Sequence, residues 1–123
     1  MTAEEINYHY KSLNDVKPLF DYDCDKSRKD VPIYSGLFVY FPDALKHVAH
    51  CSKVANDQHN PNEPLHWNKD KSKQELDSML RHLLDSVHED LDSDGIYHLA
   101  KVAWRSLSEL QRRIEGISIY KNY

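Results

Sequence analysis

Residues 57–85, DQHNPNEPLHWNKDKSKQELDSMLRHLLD, restrict the fold more than any other part of the chain. The stretch opens without periodicity and carries Pro61, Pro64 and Trp67. It then places Leu76, Leu80, Leu83, Leu84 and Val87 at helical spacing, which makes one apolar stripe on a helix over about 72–87. Ser72 and Glu75 fit a capping box at its start. A helix with one apolar face must pack that face on something, so the chain is expected to be a helical domain. The loop over 56–71 is long for a compact domain, and structureless loops of that length are functional or disordered. Its prolines and Trp67 favour a fixed shape.

The remaining segments supply further helices. Thr2 and Glu5 fit a capping box for a helix over 2–13, whose thin face is Ile6, Tyr10 and Leu13. Residues 14–32 read as a polar arm: either a solvated stretch or one that folds Arg28 or Lys29 over a bound phosphate. Residues 33–41, IYSGLFVYF, are aromatic and β-branched and read as a short extended or β segment. Pro42 and Asp43 open a helix with Leu45, Val48, Ala49 and Ser52 inward, on which His47 and His50 read as surface or packing residues. The acidic run HEDLDSDG, 88–95, lacks the ligand pattern of a calcium loop, and its Ser93 or Asp94 is expected to cap a last helix over 95–115. There Ile96, Leu99, Ala103, Leu107, Leu110 and Ile114 form a nearly heptad stripe. The tail GISIYKNY reads as a short added strand or a partner contact. The expected fold is thus mainly α: a compact helical domain of about four helices with a short extended segment near 33–41. It is read as a single domain, 1–123, with a helix and polar arm over 1–32 and the core over 33–115.

At 123 residues the chain is long enough for one core, and domains of this size often bury more surface by forming homo-oligomers. A net charge of −4 argues against coating duplex nucleic acid, so an anionic ligand would need a local basic cluster. The two cysteines, Cys24 and Cys51, lack zinc spacing and read as free thiols of a reducing compartment. With no signal peptide, lipidation motif or long apolar run, the expectation is a soluble cytoplasmic protein without a membrane partner.

Two sets of groups invite chemistry. Asp77, Arg81 and Asp85 fall at four-residue steps, with His82 beside them. They are either a solvated ladder, with each pair contributing tenths of a kcal/mol, or a place where Asp77 and Asp85 hold Mg²⁺ and Arg81 or His82 meets phosphate. His98, Lys101 and Arg105 make a cationic stripe beside Trp104, either balancing acidic neighbours or forming a phosphate-binding edge. In the loop, His59, His66 and Trp67 either surround a purine base and its phosphates or, for Trp67, plug the loop onto the core. The chain has only three glycines and no phosphate-cradling glycine loop, no His-Asp dipeptide and no serine or cysteine nucleophile motif.

The run YSGLFVYFPDALKHVAHCSKVANDQHNPNEPLHWNKDKSKQELDSMLRHLLD, with DGIYHLAKVAWRSLSELQ after it, resembles a phage protein family labelled dATP/dGTP diphosphohydrolase, N-terminal domain. The most specific pieces are YFPDAL, QHNP, PLHW, RHL.D and DG..H.AK.AWR, and the resemblance spans roughly residues 28–112. It implies a link to MazG-like all-α pyrophosphohydrolases, which use Mg²⁺ to convert a dNTP to dNMP and pyrophosphate. The Glu-Glu-x-x-Glu and Glu-x-x-Asp helices of those enzymes do not stand in the expected places: Glu4 and Glu5 are adjacent but sit at the N-terminus without the third glutamate. Metal ligation would therefore fall to Asp77, Asp85 or His82. The expected function is binding of a purine (deoxy)nucleotide, with hydrolysis of a dNTP to dNMP and pyrophosphate with Mg²⁺ as the possible chemistry; the expected location is the cytoplasm, that of the host cell if the chain is phage-encoded. Lys71, Arg81, Lys101 and Arg105 would neutralise phosphate, His59, His66 or His82 would move a proton, and Trp67 would stack on the base. One rival is a non-catalytic phage protein that sequesters a nucleotide, for example a host immune signalling nucleotide. Another is an interaction module whose heptad-like last helix is an oligomer seam.

Overall fold

The structure is a computed structural model and describes residues 2–5, 19, 25–69 and 74–120. The chain falls into two compact units, Met1–Tyr40 and Phe41–Tyr123.

In the first unit the capping box at Thr2 is present. The Thr2 N–H donates to Glu5 Oε2 at 3.0 Å and the Glu5 N–H to Thr2 Oγ1 at 3.1 Å, and residues 3–5 are helical. Ile6, Tyr10 and Leu13, the face expected for this helix, lie outside the described residues. Part of the expected polar arm is ordered as a 3₁₀ helix, Asp25–Asp30, with Arg28 and Lys29 in its last turn. The extended segment expected near 33–41 is instead a π-helical turn, Tyr34–Phe38. A lone strand would leave its backbone groups unpaired. The helical turn gives them partners, with the Val39 N–H donating to the Tyr34 carbonyl at 2.8 Å and the Gly36 N–H to the Pro32 carbonyl at 2.7 Å. It also stacks Tyr34 on Phe38, ring centroids 5.9 Å apart. Strand propensity is a weak preference that such local pairing overrides.

The second unit is built on three helices: α1, Pro42–His59; α2, Glu75–His88; and α3, His98–Glu115. Pro42 stands in the first turn of α1 as expected. α3 is the central element and packs on both α1 and α2. A tight hairpin joins α2 to α3. It is closed by an antiparallel bridge between Leu91 and Tyr97 and by the Asp92 N–H donating to the Ile96 carbonyl at 2.8 Å. Gly95 turns it with a φ of 80°. Because the hairpin consumes residues 91–97, α3 starts later than expected. Its N-cap residue is Tyr97, without a side-chain cap, while Asp94 Oδ1 accepts the Ile96 N–H inside the turn at 3.1 Å. α3 ends at Gly116, φ 75°, whose N–H meets the carbonyls of Arg112 and Arg113. No strand follows among the described residues; Ser118 is buried and donates its hydroxyl to Glu109.

The buried apolar core is small: Cys51, Ile96 and Ala100, with Val48, Val54 and Trp104 packed against it. The inward face expected on α2 is reversed, and most of the apolar stripe of α3 also faces outward. On α2, Leu80, Leu83, Leu84 and Val87 are exposed while Glu75 and Ser78 are buried. On α3, Leu99, Leu107, Leu110 and Ile114 are exposed while His98, Ser108, Glu109 and Arg112 are buried. His98, Lys101, Arg105, Ser108 and Arg112 are themselves spaced 3, 4, 3 and 4 apart, so α3 carries two heptad stripes, one polar and one apolar. The polar stripe turns inward because it meets carboxylates from α2 and the hairpin, and buried charges are tolerated only when paired.

Candidate functional site

The polar stripe of α3 is organised by three carboxylates. The hairpin sets Asp92 and Asp94 on either side of Lys101, whose Nζ lies 2.6 Å from Asp92 Oδ2 and 2.7 Å from Asp94 Oδ2. The Ser93 N–H donates to Asp92 Oδ1 at 2.7 Å. The hydrogen bond from Lys101, with that from Ser93, holds the Asp92 carboxyl down at about 2. Burial works to raise Asp94, but Lys101 and the Ile96 N–H outweigh it and leave Asp94 lowered. Burial likewise works to lower Lys101, and the two carboxylates outweigh it, so its ammonium form is reinforced. One turn on, Arg105 Nη1 donates to Glu75 Oε1 at 2.9 Å, and its guanidinium carbon lies 5.8 Å from the Trp104 ring. Glu75 is 1% exposed and also faces Arg112 Nη1 at 3.2 Å. Arg112 also donates to Ser108 Oγ at 2.7 Å and to the Lys69 carbonyl at 2.8 Å, while its Nη2 is buried without a hydrogen-bond partner.

At the start of α3 the rings of His82 and His98 meet, Nδ1 to Nδ1, at 3.0 Å. One nitrogen must donate and the other accept. His82 Nδ1 also lies 3.9 Å from Asp92 Oδ2. Burial first, and then the charge of Lys101, push His82 below the usual imidazole range. Among the described residues, His82, Asp92 and His98 are the only three potential metal ligands whose donor atoms converge, all within 4.8 Å of one another.

Two clefts flank this trio. A cleft of about 150 Å³ is lined by His59, His82, Asp94, Lys101, Trp104 and Arg105, so α1, α2 and α3 all contribute. A wider one of about 390 Å³ is lined by Asp85, His88, Glu89, Asp92, Ser93 and His98. The first sets Lys101 and Arg105 beside Asp94 and two histidines, and the second is rich in carboxylates.

Of the residues expected to form a site, the structure brings His59, His82, Lys101 and Arg105 into the smaller cleft, and Asp85 and His98 into the larger. The others go elsewhere. Asp77 is exposed and lines neither cleft. Arg81 is exposed, donates to Ser78 Oγ at 3.4 Å, and makes no ion pair with Asp77 or Asp85 among the described residues. Eight residues along one helix separate Asp77 from Asp85 by roughly 12 Å, too far to share one Mg²⁺ with ligands at about 2.1 Å. The Mg²⁺ site expected at this pair therefore does not fit. His66 is exposed and paired with Glu63 at 3.0 Å. Trp67 packs edge-to-face on Trp104 at 5.7 Å, with Arg112 and Lys69 over its ring at 5.2 and 5.3 Å, and so fastens the loop to α3. His47 packs edge-on to Tyr97 at 4.9 Å. Lys71 and Ser72 lie outside the described residues, as does Cys24. Cys51 is a buried free thiol, raised by burial and therefore poorly ionised.

Sequence reading missed Glu75, Asp92, Arg112 and Asn56 as organising groups. The available signal for Asp92 was the acidic run followed by Gly95 and then, at heptad spacing, His98 and Lys101. Asn56 is buried at the end of α1 and shapes the loop: it donates to the Glu63 carbonyl at 3.2 Å and accepts from the Asn60 amide and the His66 N–H, each at 3.3 Å. None of the described helices is long and apolar enough to cross a membrane. The chain matches no known family model, no curated protein and no solved structure.

Proposed function

We propose that the chain binds a purine deoxynucleotide, with its phosphates in the smaller cleft against Lys101, Arg105, His59 and His82. The observation that carries this reading is the convergence of those side chains from three helices on one concave surface of a chain whose net charge is −4. Asp92, Asp94 and Glu75 hold the two strong cations in place. Arg105 uses Nη1 on Glu75 and is 34% exposed, leaving its other N–H donors for a phosphate edge. At about 150 Å³ the cleft is smaller than the roughly 300–1,000 Å³ usual for whole-ligand sites. It suits the phosphates, with sugar and base outside. The resemblance to the dATP/dGTP diphosphohydrolase family supports a purine.

The separation of Asp77 from Asp85 favours sequestration over hydrolysis to dNMP and pyrophosphate, and no hydrolytic step is assigned to Mg²⁺. The exposed apolar rows of α2 and α3 support a homo-oligomer, because large apolar surfaces on soluble proteins mark interaction sites. Calorimetric titration of dGTP and dATP in EDTA tests the binding, and a pyrophosphate assay with Mg²⁺ tests the chemistry. Saturable binding in EDTA without pyrophosphate release is the expected pair of results. Pyrophosphate release lost in the Asp77→Asn variant would overturn the sequestering form, and no binding under any condition would overturn both.

A further inference from the structure

We infer that His82, Asp92 and His98 form a site for one divalent transition-metal ion, of the zinc, manganese or iron(II) class, in the wall between the two clefts. The site shares His82 with the smaller cleft, but its ligand is the metal ion alone and it does not depend on the phosphate-binding reading.

The spacing of the donor atoms suits a single ion. Two ligands about 2.1 Å from a metal lie roughly 3.0 Å apart at right angles and about 4.2 Å apart across it. His82 and His98 Nδ1 are 3.0 Å apart and His82 Nδ1 is 3.9 Å from Asp92 Oδ2. One ligand atom from each of the three residues falls within 4.8 Å of the others, so closure on an ion needs side-chain motion of roughly half an ångström.

The donor set also has a chemical preference. Imidazole nitrogen is a ligand for zinc, manganese and iron, whereas Mg²⁺ takes oxygens and keeps its waters. Neutral histidine binds through a lone pair, and the hydrogen-bonded pair holds one proton between its two Nδ1 atoms. When both lone pairs turn to a cation, that proton moves to Nε2 of its own ring, and no net proton is lost. Asp92 Oδ2 accepts from Lys101 and retains a second lone pair for the ion. Its Oδ1 is fixed by the Ser93 N–H. Lys101 opposes the cation electrostatically, and Asp94 offsets part of that charge.

The scaffold is rigid where the ligands sit. The Asp92 N–H donates to the Ile96 carbonyl at 2.8 Å and the His98 N–H to the Asp90 carbonyl at 2.9 Å, so the hairpin fixes two ligands relative to each other. α2 brings the third. Three protein ligands leave positions open, as in catalytic rather than structural metal sites. Asp92 and His98 line the wider, carboxylate-rich cleft, which gives a cation a route of entry.

The test is titration of the EDTA-stripped full chain, without nucleotide, with Zn²⁺, Mn²⁺ and Mg²⁺ by calorimetry, and with Co²⁺ by its visible spectrum. Expected are one bound Zn²⁺ per chain, a Co²⁺ spectrum with imidazole ligation, and no Mg²⁺ binding over the same range. His82→Ala and Asp92→Asn should each weaken Zn²⁺ at least tenfold, while His50→Ala, an exposed histidine elsewhere on α1, leaves it unchanged. Because His98 is buried, circular dichroism must accompany His98→Ala, and the two other variants stand without it. Wild-type protein that takes up no transition metal, or His82→Ala and Asp92→Asn proteins that bind Zn²⁺ like wild type, would overturn the inference. Loss of nucleotide binding with intact Zn²⁺ uptake would leave it standing and remove only the phosphate site.

Discussion

Replacing Glu75 by alanine should destabilise the Phe41–Tyr123 unit by about 3 kcal/mol. Glu75 is 1% exposed, and its Oε1 lies 2.9 Å from Arg105 and 3.2 Å from Arg112, whose side chain is 3% exposed. Truncation leaves the Arg112 charge buried without its counterion, and breaking a buried pair from one side typically costs about 3–5 kcal/mol. The lower end applies here because Arg112 keeps Ser108 Oγ and the Lys69 carbonyl as hydrogen-bond acceptors. Arg105 adds little, since at 34% exposure water replaces much of what Glu75 gave it. Urea unfolding followed by circular dichroism reads the effect, and with a slope of about 1–3 kcal/mol/M the midpoint should fall by roughly 1–3 M. The double variant Glu75→Leu with Arg112→Met should recover most of the loss, because an apolar pair of similar volume replaces a buried ion pair at little cost. A Glu75→Ala protein within about 1 kcal/mol of wild type, or a double variant no better than the single one, would refute the buried network.

Acid should expose the role of Asp92. Its folded pKa is depressed from 3.8 to about 2, so its stabilisation is complete above about pH 4 and disappears as pH falls through about 2. The full shift corresponds to about 2.4 kcal/mol, and at 28% side-chain exposure solvent screening reduces that to about 1–2 kcal/mol. Asp92→Asn should flatten the pH dependence of urea unfolding over that window, and an unchanged slope would refute the assignment. Gly95→Ala should cost about 1 kcal/mol from its backbone alone, since φ is 80° and nothing lies within 4 Å of the added methyl; a neutral result in thermal melts would speak against the hairpin. Asn56→Ala should loosen the 60–69 loop while α1 stays helical, seen as at least tenfold faster amide exchange at His66, whose N–H Asn56 accepts at 3.3 Å. Equal protection in both proteins would contradict its role.

The helices were legible because their signals are local. Pro42, the leucine spacing of α2 and the length of α3 each mark an element without reference to the rest of the chain. What was not legible was which face turned inward. α3 carries an apolar and a polar stripe at the same heptad spacing, and periodicity alone favours burying Leu99, Leu107, Leu110 and Ile114. The choice depends on Glu75, Asp92 and Asp94, which arrive from other elements and pair with Arg105, Arg112 and Lys101. The site divided in the same way. Lys101 and Arg105 were visible as a stripe and do line one cleft with His59 and His82. Asp77 and Asp85 were attractive as a repeat of acids, yet the rise of the helix holds them apart. His82 was noted beside that repeat, while its actual neighbours, His98 and Asp92, come from the next helix and the turn before it. The 33–41 segment failed for a further reason: a propensity for strands has no outcome where no partner strand exists.

The central claim, phosphate binding in the smaller cleft, is tested most directly by calorimetric titration of dGTP into wild type and three variants. His59→Ala and Arg105→Lys each alter one cleft side chain, and Lys53→Ala removes an equivalent charge from the exposed Lys53–Asp57 pair on α1. The expected result is one saturable site in wild type and in Lys53→Ala, weakened at least tenfold in Arg105→Lys because lysine cannot reproduce the planar guanidinium grip, and weakened less in His59→Ala. No saturable binding in wild type, or equal affinity in Lys53→Ala and Arg105→Lys, would contradict it.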